Sequence, residues 1–318
     1  MKNLNLISKE DIIQAAKRIS PYIHKTPVLK SDLLNRLVGG EILFKCENFQ
    51  KAGAFKSRGA TNAVFSLSSQ QIMNGVCTHS SGNHAAALSR AARLRNCEAF
   101  IVMPKNSSKV KIEAVKQYGG SITFCEPTLQ AREDTLRDVI KNTGAMEIHP
   151  YNDIRIIAGQ ATATMELIDQ AGPFDIIMAP VGGGGLLSGT ALASHYFGNG
   201  ALVIAGEPSG ADDAYKSFYS GEFVPSVNPK TIADGLLTSL GSVTFPIIQN
   251  HVSKIITVSE DSIIKAMQLI WERMKIIIEP SSAVPFAAIL DNRGIFARKK
   301  TGIIISGGNV DLTKLPWK

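Results

Sequence analysis

Two open, twisted parallel α/β domains with a ligand cleft between them are predicted by three features of this sequence. Strand-like and helix-like runs alternate from Gly75 onward, the pattern of parallel sheets flanked by helices. The alternation falls into two series, one ending near Ile148 and one resuming at Gly159, so two α/β layers of unequal size are implied. Four predicted strand ends, at Lys56, Ser81, Gly182 and Ser306, carry reactive or anion-binding groups. Open α/β sheets place their ligands outside the carboxyl ends of their strands.

Ser8–Ile19 reads as an amphipathic helix, with Ser8 as its cap and Asp11 in the first turn. His24 to Leu29 is extended, because the residue before Pro27 avoids helical angles. Ile42–Lys45 is a short strand; Gly53 permits a sharp turn, and a helix runs from Ala60 to Leu67. The first regular series is strand Val76–His79, helix Asn83–Leu94, strand Ala99–Met103, helix Lys109–Tyr118, strand Ser121–Cys125, helix Thr128–Asn142 and strand Ala145–Ile148. The second is helix Gly159–Gln170, strand Asp175–Ala179, helix Leu186–Tyr196, strand Leu202–Ala205, strand Ile255–Val258, helices Asp261–Met274 and Ser282–Leu290, and strand Gly302–Ile305.

The 318 residues are 44% hydrophobic and 19% charged, as expected of a globular enzyme and not of a disordered chain. A net charge of +7, with Lys and Arg spread along the chain, suits an anionic cofactor or substrate better than nucleic acid. The cysteines at 46, 77, 97 and 125 form no CxxC pair, which fits reduced thiols in the cytoplasm. Met1–Ser20 lacks the apolar core of a signal peptide, and Pro180 with the four following glycines interrupts the uncharged run Ile176–Gly206, so no membrane span is expected.

Lys56 follows Phe55 at a strand-to-helix corner. Partial desolvation there favours the neutral amine, the form that makes a Schiff base with an aldehyde; the alternative is a solvated basic turn shared with Lys51 and Arg58. Gly182, Gly183, Gly184 and Gly185, followed by Leu186, lie between a strand and a helix. Bare backbone and a helix N-terminus there make a phosphate cradle. Glu207 ends the next strand where a ribose-binding acid would stand, but the third glycine of GxGxxG is absent, so a single phosphate fits better than a dinucleotide. Ser80-Ser81-Gly82-Asn83-His84 offers hydroxyls, an amide and helix N-terminal amides to a carboxylate, or else Ser81 or Asn83 caps the helix.

The motifs F-x-x-x-G-A-F-K-x-R-G-A, S-S-G-N-H, P-V-G-G-G-G, E-P-S and S-G-G-N-V-D together resemble pyridoxal-phosphate enzymes of fold type II, the tryptophan synthase β-like fold. The branch resembled is that of serine/threonine dehydratases and serine racemases, over His24–Asp311. The resemblance implies a large cofactor domain of residues 1–72 and 153–318, a small mobile domain of residues 73–152, and a homodimer. It implies that Lys56 carries pyridoxal 5'-phosphate, with Phe55 packed on it, Asn83 on its ring hydroxyl, Gly182 to Leu186 at its phosphate, Ser306 at its ring nitrogen, and Glu279 nearby. The substrate is a small amino acid held by Ser80, Ser81, Asn83, His84 and Ser239. Ser81 is either a second base opposite Lys56 or a carboxylate ligand. The implied reaction is β-elimination of L-serine or L-threonine to a 2-oxo acid and ammonia, with racemisation as a companion activity. A non-catalytic ligand-binding relative is the reading from another class. Feedback control through a further C-terminal domain is not expected.

Two further sites are open at this level. Glu207, Asp213 and the Ala211 carbonyl suit a divalent cation, Mg²⁺, Ca²⁺ or Mn²⁺, as in the E-P-S-x-A-D-D motif of the racemase branch; alternatively Asp212 and Asp213 favour a helix start. Arg132 is either an exposed arginine near Glu133 and Asp134 or a reader of a second substrate carboxylate, which would make 3-hydroxyaspartate the substrate.

Overall fold

The computed structural model describes residues 7–317; residues 1–6 and 318, which the expected domain limits include, lie outside them. In chain order the elements are α1 (Lys9–Ile19), β1 (Val28–Lys30), α2 (Asp32–Val38), β2 (Glu41–Cys46), α3 (Lys56–Ser66), α4 (Ser69–Ile72), β3 (Val76–His79), α5 (Asn83–Leu94), β4 (Ala99–Pro104), α6 (Lys109–Gln117), β5 (Ser121–Cys125), α7 (Leu129–Thr143) and β6 (Met146–Glu147). There follow α8 (Ile154–Ala171), β7 (Ile176–Pro180), α9 (Gly185–Phe197), β8 (Leu202–Pro208), α10 (Asp213–Ser220), α11 (Thr244–His251), β9 (Lys254–Val258), α12 (Glu260–Met274), α13 (Pro280–Asp291), α14 (Arg293–Phe296) and β10 (Lys300–Ile305).

Two sheets result. The larger has the order β1-β2-β10-β7-β8-β9, and the smaller β5-β4-β3-β6. Every pair is parallel except β1 with β2. Apolar residues cover both faces of each sheet, as parallel sheets require. Phe44, Met178, Ile303 and Phe286 belong to the core on one side of the large sheet, and Ile177, Ala179, Leu187 and Ile304 to the core on the other. The small sheet is covered by Val76, Ile101, Leu88 and Val115 on one side and by Cys77, Val102 and Leu136 on the other.

The capping signals act as expected at α1, where Ser8 and Asp11 form a reciprocal capping box. Two helices start a full turn or more earlier than their apolar periodicity suggests. α3 begins at Lys56, not Ala60, because Ser57 and Arg58 are polar yet buried. α8 begins at Ile154, where Asp153 accepts the Arg155 amide. α2 and α11 were not anticipated, whereas α10 begins at Asp213, where the acidic pair offered a helix start; α2 and α10 each end at a left-handed glycine, Gly39 and Gly221. No helix among the described residues is long and apolar enough to cross a membrane.

Candidate active site

The loop delivering Lys56 is stitched to the end of β10. The Phe55 amide donates to the Ser306 carbonyl and the Gly308 amide to the Gly53 carbonyl, both at 2.9 Å, and Ala54 bridges Gly307. Backbone bonding therefore brings Lys56 and Ser306 together. The Lys56 amine lies 5.2 Å from the Phe55 ring centre and donates to the Pro150 carbonyl at 2.8 Å. Burial draws its pKa down to about 8, against an opposing pull from Glu279, so the neutral amine is accessible near neutrality.

The solvated basic turn is not what forms here. Arg58 is fully buried. Its Nε and Nη2 donate to Glu47 at 2.7 and 2.8 Å, and its Nη1 and Nη2 each donate to Glu166 at 2.8 Å. Lys45 donates to Glu166 at 2.7 Å. Two cations thus balance two anions inside the core, and they anchor α3 just beyond Lys56.

The glycine run between β7 and α9 is buried throughout. A Cβ on Gly182 would stand 2.8 Å from Leu236 Cα, one on Gly183 would run into the Tyr151 ring, and one on Gly184 would stand 2.8 Å from Thr244. Gly184 also has φ +87°, a left-handed backbone that glycine adopts without strain. The backbone is consequently bare where α9 starts, which suits a phosphate. Leu186 is buried at the same turn.

Asn83 donates to both Glu279 oxygens, at 3.0 and 3.1 Å, and accepts from Asn309 at 2.9 Å. Burial pushes the Glu279 carboxyl up to about 7. The Ser306 hydroxyl lies 2.9 Å from that of Ser282, which donates to the Gly307 carbonyl at 2.7 Å. A half-buried, aldehyde-reactive amine, a phosphate cradle, an amide and a hydroxyl together fit pyridoxal phosphate.

At the end of β3, neither Ser81 nor Asn83 caps α5. The cap position is Gly82, and no side chain caps the first turn, so the Asn83 and His84 amides are available to a carboxylate, while that of Ala85 donates to the Gly82 carbonyl. The Ser80 hydroxyl accepts the Gly82 amide at 3.3 Å. His84 is buried, with its Nε2 3.2 Å from the Ile148 carbonyl; burial holds its pKa well below the ordinary value. It is neutral and offers a ligand its backbone amide, not its Nε2.

Arg132 turns inward from α7. Its Nε is buried with no hydrogen-bond partner among the described residues, and its charge acts on His79, Cys125 and Tyr151. The Ser239 hydroxyl accepts the Ser226 amide at 2.8 Å, and the neighbouring Thr238 bonds Tyr151, the ring packed on Gly183.

Glu207 accepts the Ala214 amide at 2.9 Å and the Tyr215 amide at 2.7 Å, capping α10. Asp213 is buried beside it, and its Oδ2 has no hydrogen-bond partner among the described residues. Burial pushes Glu207 up to about 9 and Asp213 to about 6. Among the described residues no group of three or more His, Cys, Asp or Glu could hold a metal. Two buried carboxylates with one free oxygen nevertheless fit a hard cation that also takes a carbonyl and waters.

Residues 19–307 match the family described as pyridoxal-phosphate dependent enzyme. The chain belongs to this family. It is 52% identical to the beta-hydroxyaspartate dehydratase of Paracoccus denitrificans (strain Pd 1222), over 97% of this chain and 98% of that one. It is 50% identical to the serine racemase of Dictyostelium discoideum, over 99% and 98%. The crystal structure of the Dictyostelium discoideum serine racemase superposes with a TM-score of 0.92 at 51% identity, covering 96% of this chain and 99% of that one. The threonine deaminase of T.th. gives a TM-score of 0.92 at 39% identity, covering 97% and 100%. The expected fold type II is therefore the fold of this pyridoxal-phosphate-dependent enzyme.

Several residues of this site escape sequence reasoning. Pro150 contacts Lys56 through its carbonyl, which no side-chain motif reveals. His149 accepts the amides of Tyr151 and Asn152 at 3.3 and 2.9 Å. The segment 149–152 follows β6, so the strand-end rule that picks out Ser81 and Gly182 would also have picked it out.

Proposed function

We propose that this enzyme eliminates water from β-hydroxy amino acids to give a 2-oxo acid and ammonia, with 3-hydroxyaspartate as its preferred substrate class. The inward-turned Arg132, whose buried Nε lacks a partner among the described residues, carries the proposal. An unpaired buried guanidinium nitrogen is costly, and a second carboxylate would satisfy it with a charge-assisted, bidentate contact. Serine and threonine have no such group. The similarity to a beta-hydroxyaspartate dehydratase supports the same reading.

Lys56, Phe55, Asn83, Glu279, Ser306 and the turn Gly182–Leu186 would hold pyridoxal phosphate, which supplies an electron sink for the bonds at the substrate α-carbon. The bare first turn of α5, with Ser80, Ser81, Asn83 and the His84 amide, would hold the α-carboxylate. The neutral Lys56 amine takes the α-proton. The β-hydroxyl would leave as water by taking up that proton from Lys56 or one from a neighbouring group, and the enamine so formed, once released, hydrolyses to the 2-oxo acid and ammonia. Ser306 is a hydroxyl and not a carboxylate, so it does not hold a ring nitrogen protonated, which favours prompt elimination. Racemisation requires a second base facing Lys56, the role offered to Ser81. Glu207, Asp213 and the Ala211 carbonyl would bind Mg²⁺, Ca²⁺ or Mn²⁺ as a structural ion, and residues 73–152 would move as a unit over the cleft.

The test is steady-state 2-oxo acid formation from 3-hydroxyaspartate and L-serine by the wild type and Arg132→Ala. The variant should lose about tenfold to a hundredfold in kcat/KM on 3-hydroxyaspartate, the worth of a hydrogen bond to a charged group, with L-serine comparatively unchanged. Equal losses on both substrates, or none, would show that Arg132 does not read the side chain.

A further inference from the structure

We propose that Asn309 is a positioning residue that fixes which end of the Asn83 amide faces the cleft; the proposal rests on the reading of Asn83 as a cofactor contact. A side-chain amide can present its oxygen or its NH₂ in a given direction, and its partners decide which. Asn309 Nδ2 donates to Asn83 Oδ1 at 2.9 Å and to the Ala52 carbonyl at 2.8 Å, which commits both of its hydrogens. The Asn309 backbone amide donates to Glu279, the carboxylate that accepts from Asn83 Nδ2. One residue therefore holds the oxygen side of Asn83 directly and the nitrogen side through Glu279. Asn83 cannot turn its oxygen outward without breaking its contacts with both Asn309 and Glu279.

The turn before Lys56 is shaped around this residue. Ala52 and Gly53 are both left-handed, with φ of 54° and 69°; such angles cost a non-glycine residue free energy and persist where surrounding structure enforces them. A Cβ on Gly53 would collide with Asn309 Oδ1. The strained Ala52 aims its carbonyl at Asn309, and Gly53, which takes its left-handed angle without strain, leaves room for the Asn309 side chain. Asn309 thereby couples the approach to Lys56 with the orientation of Asn83.

The experiment compares wild type, Asn83→Ala, Asn309→Ala, Asn309→Asp and the Asn83→Ala/Asn309→Ala double variant. Each is assayed for pyridoxal phosphate affinity by fluorescence and for the pH midpoint of the visible band of the loaded protein. Asn309→Asp keeps the size of the side chain and removes its donors. Both Asn309 variants should bind the cofactor about tenfold more weakly, roughly 1.4 kcal/mol, and shift the midpoint in the same direction as Asn83→Ala. Because Asn309 acts through Asn83, the double variant should match Asn83→Ala alone. Wild-type midpoints in both Asn309 variants, or shifts that add in full to that of Asn83→Ala, would overturn the proposal. Failure of both Asn309 variants to fold would do the same, marking Asn309 as a support for the turn alone. A wild-type midpoint in Asn83→Ala would instead remove the role of Asn83, and the two failures are distinguishable.

Discussion

Lys56 combines two properties: an amine whose pKa is drawn down to about 8, and a carbonyl partner in place of a carboxylate. A carboxylate contact would hold the amine charged; the Pro150 carbonyl orients it while burial keeps the neutral form within reach. Capture of pyridoxal phosphate by the cofactor-free protein needs the neutral amine. Its rate, followed by stopped-flow absorbance, should rise with pH through about 8 and level off above it. A rate that is flat from pH 6 to 9 would show that the amine is already neutral or that another step limits capture.

At the scale of elements, α3 owes its position to buried charge. Removing one member of the cluster of Arg58, Glu47, Glu166 and Lys45 strands the others without compensation. Arg58→Met should therefore destabilise the protein by about 3–5 kcal/mol in urea unfolding, with loss of cofactor binding through displaced Lys56. A variant as stable as the wild type would mean that water or a rearranged side chain replaces the guanidinium. The glycine turn is constrained as tightly. Gly183→Ala drives a methyl into the Tyr151 ring and should abolish phosphate-dependent cofactor binding, with pyridoxal phosphate titration as the check.

The same elements mark the reach of sequence reasoning. The strand ends before Ser81, Gly182 and Ser306 were legible because glycines and hydroxyls recur there, and β3, α5 and β5 have the boundaries expected from periodicity; Lys56 is instead a helix start, separated from the end of β2 at Cys46 by two single-turn helices. α3 and α8 were foreshortened because buried polar pairs such as Arg58 with Glu47 carry no apolar signal. The contacts of Pro150 and Asn309 were invisible for another reason: they depend on backbone atoms and on chain segments far apart in sequence.

Across the whole molecule, the carboxyl ends of β2, β3, β7 and β10 supply the residues of one cleft between two parallel sheets. Lys111 of α6 forms an ion pair across it with Asp234. Glu207 gives the molecule a pH signature. Its pKa rises on folding from the ordinary 4.5 to about 9, so between those limits the folded state holds a proton that the unfolded state has lost. Its contribution to stability is therefore present below about pH 4.5 and disappears as pH rises through about 9. A cation bound to Glu207 and Asp213 would reverse that trend. Millimolar Mg²⁺ or Ca²⁺ should raise the melting temperature of chelator-treated protein more at pH 8 than at pH 5; an equal effect at both, or none, would leave the acidic pair without a metal.

The convergence of the segments at Ser81, Gly182 and Ser306 on a single reactive lysine, Lys56, is tested most directly by reducing the cofactor-loaded enzyme with borohydride and sequencing its peptides by mass spectrometry. The account predicts a pyridoxyl group on Lys56 and on no other lysine, with loss of activity in proportion to its incorporation. A pyridoxyl group on another lysine, or full labelling of Lys56 with activity retained, would contradict it.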